Sequence, residues 1–197
     1  MPLFLLLSIH TAAGGKGYGF ALVQYVGFFT ILTNGLCAVV FTAHAWHGGQ
    51  GALWRGLRSA WFATSAACSI VVVGAVYFLV LRHLWQPQGA QWAADAMLHY
   101  LVPVLFAGFW WRAVPAGSLH WGQLPHMLAY PAVYLVYVFV RGAILGLYPY
   151  PFIDVTALGY GMALRNATGL FLLFAGLSAT AIFVKRQRIG RGAAAVR

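Results

Sequence analysis

Long apolar runs, each interrupted by a few polar residues at helical spacing, make up most of this chain. A membrane helix needs about 20 mostly apolar residues. Five stretches qualify, roughly 20–46, 60–84, 94–114, 124–147 and 163–184. Residues 2–13 are apolar too, but they are too short to cross alone and lack the basic start of a signal peptide. They are read as a shortened first helix. The expectation is an all-α, polytopic transmembrane bundle of six helices with short connections. It forms one domain over residues 1–184, followed by a basic cytoplasmic tail over 185–197.

Composition removes the soluble alternative. Of 197 residues, 62% are hydrophobic and only 7% charged, too little polar surface to cover a water-exposed fold. The net charge of +10 is no nucleic-acid signature, because the basic residues punctuate loops and cluster in the tail. That tail suits anionic lipid headgroups or fixes topology as a stop-transfer cluster. With six spans, Arg55, Arg58, Arg112, Lys185, Arg186, Arg188, Arg191 and Arg197 fall on one side, and Lys16, Arg82, Arg141 and Arg165 on the other. The positive-inside rule then predicts both termini in the cytoplasm, in what is expected to be a bacterial inner membrane. Cys37 and Cys68 lie inside apolar runs and read as packing residues. His44 and His47 have no third ligand nearby, so no zinc site is expected, nor any other metal or cofactor.

The polar residues inside the spans carry the candidate chemistry. In "FFTILTN", Thr30, Thr33, Asn34 and Cys37 fall at i, i+3, i+4 and i+7 and share one face. Such a stripe must face protein or water, either as interhelical glue or as a site. In "DAMLHYLVP", Asp95 precedes His99 by four residues on the same face, and Pro103 follows by four. Asp95 either caps the helix start or holds one imidazole nitrogen so that the other can act as a base. Tyr130, Tyr134, Tyr137 and Arg141 form one face of a later helix. Arg141 needs a partner at that depth, and Asp154 in the following loop is the natural one. Alternatively, Arg141 or a tyrosine stabilises an oxyanion or holds a carboxylate head group. Asn166 is a further polar candidate, as glue or ligand.

The order "FFTILTN", "LHYLVP" and "YP..Y…RG…YPYPFID" resembles the bacterial six-helix membrane proteins often labelled Pr-six-Pr. Those look like distant relatives of the eukaryotic androgen-induced gene and androgen-dependent TFPI-regulating proteins. The resemblance runs from residue 18 to residue 184. It implies a membrane threonine hydrolase that cleaves fatty acid esters of hydroxy fatty acids or similar acyl lipids. It also implies an essential pair, a threonine on an early helix and a histidine shortly before a proline. Carried over, these are Thr30, with Thr33 as the alternative, and His99. The expected partners are membrane lipids and a lipid ester substrate. The competing reading is a non-catalytic lipid-binding or scaffold protein. One expectation argues against a direct pair. With helices starting at 20 and 94, Thr30 lies roughly 15 Å and His99 roughly 7.5 Å below their helix starts.

Overall fold

In a computed structural model the described residues are 9, 12–15, 17–46, 48–84 and 86–194, with side chains described up to 187. Most of the expected short first helix, residues 2–13, lies outside them. The described fold is all-α: α1 Tyr18–Tyr25, α2 Phe29–Ala45, α3 Ala52–Leu57, α4 Ala60–Leu81, α5 Ala90–Ala113, α6 Leu124–Leu145 and α7 Val155–Ala194. Four of these (α4, α5, α6 with its preceding turn, and α7) are long and apolar enough to cross a membrane, and α1 with α2 would make a fifth as a broken span.

Helix α4 is the centre of the bundle and packs against α2, α5, α6 and α7. Small residues let the others approach it closely: Ala63, Ala66, Ala67, Ser65 and Ser69 are all buried. Ser65 Oγ donates to the Met127 carbonyl (2.8 Å) on α6, and Trp110 Nε1 donates to Thr64 Oγ1 (2.8 Å). A side chain at Gly74 would meet the His99 carbonyl at 3.1 Å and Pro103 at 3.3 Å. The outward faces are apolar and bare. On α6 the exposed Val133, Val136, Val140 and Ile144 run opposite the tyrosine face, as a lipid-facing stripe requires.

The run expected as one helix over 20–46 is broken. Helices α1 and α2 meet at 76° across Val26–Phe28. The break is held from α6, by the same tyrosine–arginine face that the sequence marks. Tyr134 Oη donates to the Gly27 carbonyl (2.8 Å), and Tyr137 Oη to the Val26 carbonyl (3.4 Å). Arg141 donates to the Val23 carbonyl (3.3 Å), to Gln24 Oε1 and to the Leu147 carbonyl (2.8 Å). Backbone groups freed by a break in apolar surroundings need such partners. Glycine leaves room at the bend: a Cβ at Gly27 would lie 3.0 Å from Arg141 Cζ, so the guanidinium would have to give way.

This corrects the expected Arg141–Asp154 pairing. Asp154 instead caps α7: its Oδ1 accepts from the Thr156 N–H (2.9 Å), the Thr156 hydroxyl (2.5 Å) and the Ala157 N–H (3.3 Å). The Thr156 hydroxyl, with these backbone N–H groups, holds the Asp154 carboxyl below its ordinary range.

Helix α7 starts at Val155 rather than near 163, bends at Gly159 (φ 72°), and continues past the expected end at 184. Lys185, expected to open the basic tail, is fully buried. Its ammonium donates to the carbonyls of Trp111 (2.9 Å) and Val114 (2.6 Å) at the C-terminus of α5. Arg58 does the same for α2, donating to the Ala43 carbonyl (2.6 Å) and the Trp46 carbonyl. A cation at a helix C-terminus answers both the unpaired carbonyls and the helix dipole.

Candidate active site

The break changes where Thr30 lies. It is the second residue of α2, not the centre of a long helix. Asn34, one turn on, fixes its level against α5. Its Nδ2 donates to the Thr30 carbonyl (2.8 Å) and to the Leu98 carbonyl (3.4 Å). The two carbonyl oxygens are therefore closer together than the sum of those distances, and Leu98 is the residue before His99. The expected difference in depth between Thr30 and His99 is overturned by this contact, which sets Thr30 beside the turn that carries His99 wherever the two helices start.

Helix α5 begins at Ala90, with Gly89 before it, so Asp95 lies inside the helix and the capping reading is corrected. Pro103 has no N–H to give the His99 carbonyl. The helix widens there into a π turn over Met97–Leu101. A second π turn, Tyr77–Leu81, ends α4 opposite it. Such turns re-aim side chains and recur at functional sites.

Between the two π turns lies a compact cluster. His99 Nδ1 faces the Asp95 carboxylate (Oδ1, 3.1 Å) and the Asp95 carbonyl (3.1 Å). Both are acceptors, so the neutral ring keeps its proton on Nδ1 and leaves Nε2 with a lone pair. The Tyr77 hydroxyl donates to Asp95 Oδ2, and the Tyr77 ring stacks on the imidazole at 3.8 Å with planes 8° apart. Asp95 and Tyr77 are buried, and His99 is only 13% exposed.

The cluster borders a cavity of about 480 Å³ that Thr30, Tyr77, Asp95, His99 and Tyr150 line together. That volume is in the range of small-molecule sites. Tyr150 lies against Thr30. Its hydroxyl accepts the Thr30 N–H at 3.4 Å, and burial pushes it above the ordinary phenol range, so it keeps its proton at working pH. A histidine with a carboxylate at its Nδ1, a threonine and a buried phenol thus line one cavity.

The other candidates have different places. The Thr33 hydroxyl is fully buried and shares a hydrogen bond with Tyr130 Oη (2.9 Å), facing α6 rather than the cavity. Tyr134 and Arg141 hold the α1–α2 break, and Asp154 caps α7. Asn166 Nδ2 donates to the Phe152 carbonyl (2.9 Å) and braces the Pro151–Ile153 turn. Among the described residues no group of three or more histidine, cysteine or acidic side chains could hold a metal ion. Sequence reasoning missed Tyr77 and noted Tyr150 only as part of the "YPYPFID" run. Tyr77 lies in an unremarkable "VYFLV" run, and only the approach of α4 to α5 reveals it. No family model, no curated protein and no solved structure matches the chain.

Proposed function

We propose that this chain is an intramembrane hydrolase of lipid esters, with Thr30 as nucleophile and His99 as general base. The observation that carries this is the shared cavity, in which Thr30 faces the same space as a histidine whose Nδ1 is held by Asp95. A threonine hydroxyl is a weak nucleophile until a base takes its proton. In the proposed reaction Thr30 Oγ1 bonds to the ester carbonyl carbon while its proton passes to His99 Nε2. The tetrahedral oxyanion accepts a hydrogen bond from Tyr150 Oη. The C–O bond to the leaving alcohol breaks, and the alcohol departs with the proton from Nε2. Water then attacks the acyl-threonine carbon, giving a proton to His99 Nε2; the bond to Thr30 Oγ1 breaks, Nε2 returns the proton to that oxygen, and the fatty acid is released. The substrate class, fatty acid esters of hydroxy fatty acids or similar acyl lipids, comes from the resemblance in sequence.

The same reading takes the bundle as six helices in a bacterial inner membrane, termini in the cytoplasm and cavity toward the outer face. Supporting it, Arg55, Arg58, Arg112 and Arg186 sit at the end away from the cavity, and Asp95 and Asp154 at the cavity end. A C-terminal fluorescent-protein fusion should glow, and a phosphatase fusion there should stay inactive. The opposite pair of results reverses the orientation.

The test of function uses the full chain in detergent, with long-chain esters and a fluorophosphonate probe. Turnover is expected, with the probe on the Thr30 peptide. Lipid that co-purifies without any ester turnover, together with equal labelling of Thr30→Ala and the parent, would leave the non-catalytic lipid-binding or scaffold reading in its place.

A further inference from the structure

We propose that Tyr77 is the positioning residue of the histidine base: it locks the Asp95 carboxylate and the His99 ring in one arrangement, so that Nε2 is presented to the cavity. Three observations converge on this side chain. Its hydroxyl donates to Asp95 Oδ2, while the other carboxylate oxygen, Oδ1, faces His99 Nδ1 at 3.1 Å. Its ring lies flat on the imidazole at 3.8 Å. Both partners sit in π turns, Tyr77 at the start of the one in α4 and His99 in the middle of the one in α5. Each contact removes a different freedom. The hydroxyl stops the carboxylate from rotating away from Nδ1. The stack stops the imidazole from turning about its own Cβ–Cγ bond, which would exchange Nδ1 for a carbon. A histidine that must take a proton from a hydroxyl and return it to a leaving group needs both restraints, because misplacement of the base by an ångström is costly. An aspartate alone, four residues away on the same helix, supplies only one.

This inference rests on the hydrolase reading for its kinetic half, but its spectroscopic half stands without it. The full chain, labelled with ¹⁵N-histidine in micelles, is compared with Tyr77→Phe, which keeps the ring and removes the hydroxyl. His99 is assigned by its disappearance in His99→Gln. In the parent at neutral pH, His99 should carry its proton on Nδ1, and its ring protons should be moved upfield by the stacked tyrosine. In Tyr77→Phe the upfield position should remain while the nitrogen shifts move to a mixture of tautomers. With an ester substrate, kcat should fall about tenfold and KM should stay within about twofold, the signature of a base mispositioned in an intact site. A Tyr77→Phe protein with unchanged nitrogen shifts and kcat overturns the proposal. If that variant does not fold, the parent spectrum decides: a ring protonated on Nε2, or one without the upfield shift, overturns it equally. Absence of ester turnover in the parent, with the tautomer change present, sinks the hydrolase reading and leaves the positioning role standing.

Discussion

Two threonines one turn apart on α2 can be separated by a pair of valine substitutions, because the fold gives them different partners. Valine matches threonine in shape, so neither change opens a void, and the difference is the hydroxyl alone. Thr33 is fully buried and its Oγ1 shares one hydrogen bond, 2.9 Å, with Tyr130. Thr33→Val leaves the Tyr130 hydroxyl without that partner. Hydrogen bonds between membrane helices average about 0.6 kcal/mol and reach about 1.7, while a buried hydroxyl left unpaired costs about 1–3 kcal/mol. Thr33→Val should therefore lose about 1–2 kcal/mol of stability and keep its ester turnover. Thr30 lies on the cavity wall, and Thr30→Val should change stability by less than about 1 kcal/mol. It should also remove turnover by at least about a thousandfold, as loss of a covalent nucleophile does. Thr30→Ser should restore measurable turnover, since it keeps the hydroxyl. Unfolding in mixed micelles gives the first quantity, and long-chain ester hydrolysis the second. Turnover that survives in Thr30→Val and disappears in a folded Thr33→Val would exchange the two roles. Equal losses of stability with turnover intact in both would reduce the stripe to helix glue.

Three further outcomes follow from the same contacts. Gly27→Ala puts a methyl 3.0 Å from Arg141 Cζ and 3.1 Å from its Nε; it should cost about 1–3 kcal/mol by overpacking and lower kcat by moving Thr30, and unchanged unfolding and turnover would show that the break is not held from α6. Lys185→Met takes the ammonium away from the Trp111 and Val114 carbonyls and should cost about 2–4 kcal/mol in micellar unfolding, whereas a mere tail residue would cost nothing measurable. The Asp154 carboxyl is held below its ordinary range in the fold, so its contribution is present above the unfolded value and lost as pH falls through the folded one. Thermal stability should therefore drop below about pH 4, and Asp154→Asn, whose side-chain oxygen still accepts, should flatten that acid limb.

The helical class and the approximate places of α4, α5 and α6 were legible because hydropathy reports burial in lipid, and these helices run unbroken apart from their π turns. The bend between α1 and α2 was not. Val26, Gly27 and Phe28 are as apolar as their neighbours, and the groups that satisfy the opened backbone lie more than 100 residues away, on α6. Both halves of that interface were visible as separate polar stripes. Their pairing, Thr33 with Tyr130, Gly27 with Tyr134 and Val26 with Tyr137, is an antiparallel match that only the fold reveals. The same missing bend misplaced Thr30 along its helix. A residue judged central on a straight helix of 27 residues becomes the second residue of a 17-residue helix when the first part turns aside. Of the two readings left open for Asp95, the cap fails because the helix begins four residues before the expected 94, at Ala90. Polar residues in a membrane chain thus announce that a partner exists, and the spacing tells which of them share a face. Which stripe meets which depends on where each helix starts. In this chain glycines mark the bend before α2 (Gly27), the start of α5 (Gly89) and the bend within α7 (Gly159), and none of them stands out in hydropathy.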